Sequence, residues 1–290
     1  MKIWIDGQIV EAGEARIPVT DHGLLYGDGL FEGIRVYGGR VFRLDDHLVR
    51  LEAGARVLGL VLPFERARLH EIVLETVRAH AEPEAYVRLV VTRGDGALGV
   101  DPTTCSAPRL FCLVAEISIY SEEKLRCGID LVTSSLRRPP PDVLDPRVKS
   151  LNYLNSVLAK QEARRQGAGE ALLLNTAGRV AEAAVANVFC ARYGEIATPP
   201  ATEGALEGIT RRTLLELAGT LGIPASERCI SRFDLFAATE VFLTGSGAGV
   251  VPVSSLDGRP IGSGRPGPLW EKLRGAFLSA APSLGVPALS

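Results

Sequence analysis

Two short glycine turns constrain this chain more than any other feature. Asp6-Gly7 separates the strand-like runs Lys2 to Ile5 and Gln8 to Glu11, and Gly38-Gly39 separates Gly33 to Tyr37 from Arg40 to Arg43. Two-residue connections of this composition tolerate positive φ and join antiparallel strands whose twist they match. The chain therefore opens as a β layer built of hairpins. Asp45 or Asp46 can then cap a helix running to Leu58, and a second helix is predicted from Glu65 to Ala81. Tyr86, Arg88 and Val90 alternate with Val87, Leu89 and Val91, the period of a strand, with Arg109 to Glu116 as its partner.

This periodicity breaks at residues 117–123, so a linker at 119–123 is expected between an N-terminal domain, residues 1–118, and a C-terminal domain, residues 124–290. Beyond it the pattern predicts a strand from Ile129 to Thr133, a Pro139-Pro140-Pro141 loop, and a helix from about Asn152 to Gln166 that Gly167 can end. Strands follow at Ala171 to Asn175, Arg179 to Ala184 and Asn187 to Arg192. A helix from Thr210 to Leu221 carries Leu214, Leu217, Ala218 and Leu221 on one face, and another lies around Leu269 to Ala280. Both domains read as mixed α and β.

At 290 residues and 46% hydrophobic content, the chain can bury two cores. A net charge of -2, with no run of five like charges, offers no electrostatic footprint for nucleic acid or an anionic membrane. Met1 to Gly7 reaches a polar turn within a few residues and reads as neither a signal segment nor a membrane span, so a cytoplasmic protein acting on small molecules is expected. Five scattered cysteines read as reduced thiols, and the four histidines show no spacing that would hold a metal.

Only five lysines occur, so 27 of the 32 basic residues are arginine. One of the five, Lys149, stands just ahead of the helix predicted from Asn152. A primary amine can form an imine with an aldehyde, which a guanidinium cannot. Further along, Glu182 supplies a carboxylate of the kind that keeps a pyridine nitrogen protonated. Amine and acid together point to pyridoxal phosphate. Gly208-Ile209-Thr210 opens an amphipathic helix whose free N–H groups suit a phosphate, the small residues Thr244 to Gly249 can form a nest of N–H groups for a phosphate edge or a carboxylate, and Arg50 can add a cation.

Taken singly, these residues keep plainer readings. Lys149 is also a solvated lysine at a helix start, Glu182 a strand-edge carboxylate, Tyr153 a half-buried helix aromatic, Tyr86 and Arg88 an ordinary polar strand face, and Tyr26 and Phe31 core. Gly94-Asp95-Gly96-Ala97-Leu98-Gly99 matches a dinucleotide-binding pattern, but Val100-Asp101-Pro102 cannot continue the helix that such a site needs. That loop fits a lid over a substrate pocket.

Read together, seven segments in order resemble the fold-type IV pyridoxal phosphate enzymes, the class IV aminotransferases. They are Tyr26 to Arg35, Asp46 to Leu51, Tyr86 to Arg88, Lys149 to Asn155, Glu182 with Asn187 to Phe189, Gly208 to Arg211, and Thr244 to Ser246. The resemblance implies an α+β, two-domain fold like that of D-amino acid aminotransferase, with a small N-terminal α/β sandwich and a larger, barrel-like C-terminal domain. It implies that Lys149 is both the covalent anchor of pyridoxal 5'-phosphate and the base, that Glu182 pairs with the pyridine nitrogen and Tyr153 with the ring 3′-oxygen, and that Arg50, Ile209, Thr210, Gly245 and Ser246 hold the phosphate. Tyr26, Phe31, Gly33, Tyr86, Arg88 and Gly247 fall on the substrate side, with Tyr26 or the loop 94–101 reaching a neighbouring subunit of a homodimer. One departure is Ala183, where the family usually has glycine; its added methyl can shift the backbone or tighten the pocket.

Within the family, the segments look most like branched-chain amino acid aminotransferases, with leucine, isoleucine and valine as donors and 2-oxoglutarate as acceptor. D-amino acid transaminases, (R)-amine transaminases and aminodeoxychorismate lyase share the scaffold and stay open. So does a carrier or sensor that binds the cofactor and catalyses nothing.

Overall fold

The computed structural model describes residues 1–117 and 120–289; Ser118 and Ile119, where the expected boundary and the start of the linker fall, lie outside the described residues, as does Ser290. The chain divides into two compact units, Met1–Ile117 with Val148–Asn152 and Ala281–Ser290, and Ser118–Arg147 with Tyr153–Ala280. In chain order the first unit runs β1 (Lys2–Ile5), β2 (Gln8–Glu11), α1 (His22–Tyr26), β3 (Gly29–Tyr37), β4 (Arg40–Phe42), α2 (Leu44–Val57), α3 (Arg66–His80), β5 (Ala85–Thr92) and β6 (Arg109–Ala115). The second runs α4 (Glu122–Cys127), β7 (Ile129–Arg137), α5 (Pro141–Leu144), α6 (Leu154–Arg165), β8 (Glu170–Leu174), β9 (Val180–Ala183), β10 (Asn187–Arg192), β11 (Glu195–Thr198), α7 (Ile209–Thr220), β12 (Ala225–Glu227), α8 (Arg232–Phe236), β13 (Glu240–Gly245), β14 (Gly249–Leu256), β15 (Arg259–Pro260) and α9 (Pro268–Ala280). The chain then returns to the first unit as β16 (Gly285–Pro287).

Both predicted turns have the backbone their residues favour. Asp6 and Gly7 sit at φ 49° and 82°, Gly38 and Gly39 at 54° and 75°, positive at both central positions as a tight hairpin requires. The first sheet has the order β16-β4-β3-β5-β6-β1-β2. Its core joins Trp4, Leu30, Ile34 and Val36 to Leu44, Leu48 and Leu51 of α2 and to Leu69, Ile72 and Val77 of α3. The expected aspartate cap of α2 is corrected: Arg43 is the N-cap residue, in the left-handed region at φ 45°, and Asp45 and Asp46 lie inside the first turn. There they face the positive end of the helix, and Asp46 pairs with Arg43 at 3.2 Å.

In the second unit the strands follow the order β12-β11-β10-β13-β14-β7-β8-β9, with β15 on β14. Pairing is antiparallel except for β11–β12, β14–β7 and β7–β8. The terminal strand β9 runs through Ala184-Val185-Ala186 straight into β10, which stands near the other end of the order, so the sheet curls back toward itself. Leu172, Val188, Leu243 and Val251 fill one core, while α6 packs Ala159 and Ala163 against Val132 and Leu173. Ser121 accepts a hydrogen bond from Lys124 N at the head of α4, so the expected linker at 119–123 already runs into a helix.

Two later segments belong to the first unit, not to a continuous C-terminal domain. Ala281–Ser290 supplies the edge strand beside β4. Val148–Asn152 joins because Val148 packs into the first core and Ser150 forms a bridge with Leu30. No helix among the described residues is long and apolar enough to cross a membrane.

Candidate active site

Strand alternation explains the first group of residues. On β3, Phe31 and Gly33 share a face, and on β5 Tyr86, Arg88 and Val90 share one; Phe31 pairs with Val90 and Gly33 with Arg88. The Arg88 guanidinium stands 4.3 Å from the centre of the Phe31 ring. Lys149 Nζ lies 4.5 Å from the same ring, so two cations flank one aromatic. A side chain at position 33 would place its Cβ 1.9 Å from the Tyr86 hydroxyl, which explains the glycine. Gly33→Ala is therefore expected to displace that hydroxyl and raise the KM of a substrate bound against this face about tenfold, with kcat less affected; steady-state kinetics with a stability check would test this.

Lys149 is held by backbone bonds on both sides. Phe31 N donates to Lys149 O at 3.0 Å and Leu151 N to Gly29 O at 2.9 Å. Gly29 has no room for a side chain, since a Cβ there would meet Val91 O at 2.5 Å and Leu151 Cδ1 at 2.7 Å. Five residues after the lysine α6 begins, with Tyr153 at its N-cap position.

The opposite face of β3 carries an anomaly. Leu30, Ile34 and Val36 point into the core, and Glu32 stands among them, fully buried. Arg50 Nε donates to Glu32 Oε1 at 2.9 Å and Arg50 Nη2 to Oε2 at 2.7 Å, while His47 Nδ1 donates to Oε2 at 2.7 Å. Burial alone would raise the Glu32 pKa, but the charge and hydrogen bonds of Arg50, with His47, outweigh it and bring it from 4.5 down to about 2. The His47 pKa is lowered, chiefly by burial. Arg50, expected at the phosphate, is thus bound edge-on to an acid that the sequence reading did not single out. A folded-state value below the unfolded one stabilises fully above about pH 4.5, and that gain is lost as pH falls through 2. The stability difference between the wild type and Glu32→Gln is therefore expected to shrink between pH 5 and pH 2, which urea titrations at each pH would measure.

Tyr26 holds a loop of its own unit. Asp21 caps the short helix α1 by accepting from Gly23 N at 2.8 Å. From that helix the Tyr26 hydroxyl accepts from Gly99 N at 2.7 Å, and His22 Nε2 donates to Ala97 O at 2.9 Å. The loop 94–101 is pinned to α1 in this way and leads into a single turn, Pro102–Thr104, not into the helix that a dinucleotide fold requires.

The second unit gathers the acid and the small residues. Glu182, on β9, is buried; its carboxylate pairs with Arg138 Nη2 at 2.6 Å and accepts from Leu206 N at 3.0 Å and Asn187 Nδ2 at 3.2 Å. Asn187 also donates to Leu206 O, at 2.9 Å, and its Oδ1 would lie 2.0 Å from a Cβ at Gly208. Gly208 therefore opens α7 with no side-chain cap, leaving Ile209 and Thr210 buried in the first turn. Asn187 is paired with Thr244 across β10 and β13. Past Thr244, β13 ends at Gly245 and the residues Ser246, Gly247 and Ala248 make the turn to β14; a Cβ at Gly245 would stand 3.4 Å from Val185 O. Among the described residues, Thr210 Oγ1 and Thr244 Oγ1 are buried with no hydrogen-bond partner. Two orphaned hydroxyls beside an uncapped helix start are what an oxyanion such as phosphate would satisfy.

Ala183, the departure from the family pattern, sits inside β9 opposite Leu172 and is not among the positive-φ residues. Its methyl is buried in the core and strains no backbone. The sequence reading missed Arg138, which follows β7 without a motif of its own, and Glu32 and His47. For those two a signal was available: a charged residue at core parity on a strand, with His and Arg three apart on the next helix.

This fold and these residues define an aminotransferase of class IV. Residues 29–256 match the family Amino-transferase class IV, and the chain belongs to that family, with the two-domain architecture of fold type IV. It is 44% identical over 286 residues to a putative branched-chain-amino-acid aminotransferase of Methanocaldococcus jannaschii, an alignment covering 99% of this chain and 98% of that one. Among solved structures it resembles the branched-chain amino acid aminotransferase of Escherichia coli, at 34% identity and a TM-score of 0.94, covering 98% and 95% of the two chains. The branched-chain amino acid aminotransferase of Thermobaculum terrenum in its PLP-form matches at 31% identity and a TM-score of 0.88, covering 98% and 94%.

Proposed function

We propose that this protein transfers the amino group of branched-chain L-amino acids to 2-oxoglutarate, with pyridoxal 5'-phosphate as cofactor. The observation that carries the reading is the placement of Lys149 Nζ and Arg88 on one aromatic ring, with the Tyr86 hydroxyl packed against Gly33 beside them. An amine, a fixed cation for a carboxylate and an apolar wall are what an amino acid with an aliphatic side chain needs. When bound, the cofactor supplies the electron sink that lets a Cα–H bond of the donor be broken as a proton.

The chain's own residues do the rest. Lys149 Nζ would anchor the cofactor through its aldehyde and, once freed by the substrate amine, would serve as the base that moves the Cα proton. Glu182, paired with Arg138, accepts the pyridine N–H. Tyr153 donates to the 3′-oxygen. The backbone at Ile209, Gly245 and Ser246, the Thr210 hydroxyl and Arg50 take the phosphate oxygens. Phe31 and Tyr86 wall the donor's side chain, Gly33 and Gly247 leave it room, and Arg88 receives its carboxylate. Tyr26 acts by fixing the loop through Gly99.

A homodimer in the cytoplasm is part of the same reading. Exposed Leu98 and Val100 on the loop of the first unit, and exposed Leu154, Val157 and Leu158 on α6 of the second, are apolar side chains that a second copy would cover. Light scattering after size exclusion tests this. Mixing cofactor-loaded protein with L-leucine should bleach its visible band and raise the near-ultraviolet band of the aminated cofactor. A faster response to D-alanine, (R)-1-phenylethylamine or aminodeoxychorismate would overturn the substrate assignment, and an unchanged spectrum with every donor would leave a carrier.

A further inference from the structure

Glu32 presents a problem that the proposed chemistry does not solve. A carboxylate on the core face of a central strand is costly to bury unless it is paired, and this one is paired twice, by the Nε–Nη2 edge of Arg50 and by His47 Nδ1. His47 is itself fully buried, and its Nε2 has no hydrogen-bond partner among the described residues. With its proton on Nδ1, directed at Glu32, the ring is a neutral spacer wedged behind the carboxylate. His47 and Arg50 lie three apart on α2 and so reach the same carboxylate from one helix face. Holding Arg50 by one edge fixes the plane of its guanidinium and the direction of its other edge. An arginine left to itself samples many rotamers, and ordering it costs binding energy.

We propose that Glu32 and His47 are positioning residues for the cofactor phosphate: His47 orients the Glu32 carboxylate, and Glu32 locks the Arg50 guanidinium in the plane from which it receives the phosphate oxygens. The inference rests on the pyridoxal phosphate reading above and adds to it two residues that touch neither cofactor nor substrate. Glu32 also offsets most of the charge of Arg50, so what the pair supplies is a directed set of N–H donors and not bulk positive charge. The effect of removing Glu32 therefore belongs to the phosphate and not to the pyridine ring.

Two ligands separate these possibilities. The full-length chain, stripped of cofactor, is titrated with pyridoxal phosphate and with pyridoxal, which lacks the phosphate, and absorbance reports binding of each. For Glu32→Gln the expected result is a loss of tenfold or more in affinity for pyridoxal phosphate, with pyridoxal affinity held within twofold. His47→Leu should show the same selective loss, while His47→Asn, whose amide N–H can take the place of Nδ1–H, should recover most of it. Should Glu32→Gln not fold, the two His47 variants decide the matter. Phosphorus NMR of the loaded protein should give a shifted and broadened phosphate signal in His47→Leu. Equal losses for both ligands would make the network merely structural, and unchanged or tighter pyridoxal phosphate binding would make Glu32 a screen; either overturns the proposal. A wild-type protein that takes up neither ligand would instead bring down the functional reading itself, and the clamp with it.

Discussion

Lys149→Ala is expected to fold, to retain some cofactor without a covalent link, and to lose turnover with L-leucine by roughly 10²- to 10⁴-fold or more. Folding should survive because the segment is held through its backbone, by Phe31 N on Lys149 O and Leu151 N on Gly29 O, and through Val148 in the core, none of which uses the amine. What disappears is the primary amine beside Phe31. Borohydride reduction of the loaded wild type, followed by peptide mapping, should find the adduct on residue 149 and nothing in the variant. An adduct elsewhere, or substantial residual activity, would remove Lys149 from its role.

The second large effect is expected at Glu182. Replacing it with glutamine keeps the shape but takes the negative charge from a site where Arg138 sits at 2.6 Å and two N–H groups converge. Turnover should fall by about a hundredfold, the range seen when a preorganised charge is removed from a reacting system. Stability should fall as well, by about 3 kcal/mol, because the partly buried arginine loses its carboxylate and keeps only the neutral acceptors Gly204 O and Ser156 Oγ. The two effects separate in practice: single-turnover absorbance, read well below the melting temperature, follows the chemistry, and urea titration follows the fold. A rate equal to the wild type would place the acid that serves the pyridine nitrogen elsewhere.

What the sequence made legible was whatever has a short period or a local conformational demand. Asp6-Gly7 and Gly38-Gly39 need positive φ and have it. Phe31, Gly33, Tyr86 and Arg88 came out as one group because strand alternation is strict and β3 pairs directly with β5. Pairings across long separations stayed hidden. Nothing in Val148 to Asn152 announces that it joins a strand more than a hundred residues earlier in the chain, and Ala281 to Ser290 carries only a brief apolar run. The buried acid at position 32 was hidden for a different reason: it lies inside the motif Phe31-Glu32-Gly33, and only core parity with Leu30 and Ile34 shows that it faces inward.

The late return of β16 shapes how such a chain is made. As it leaves the ribosome, the first hundred or so residues can collapse around α2 and α3, but β4 keeps an unpaired edge until synthesis has passed residue 287. The lysine segment likewise cannot dock on β3 until residue 152 has emerged. The nascent N-terminal half therefore carries an open strand edge for most of translation, exposed to wrong partners, and Lys149 is set in place only after the scaffold that receives it.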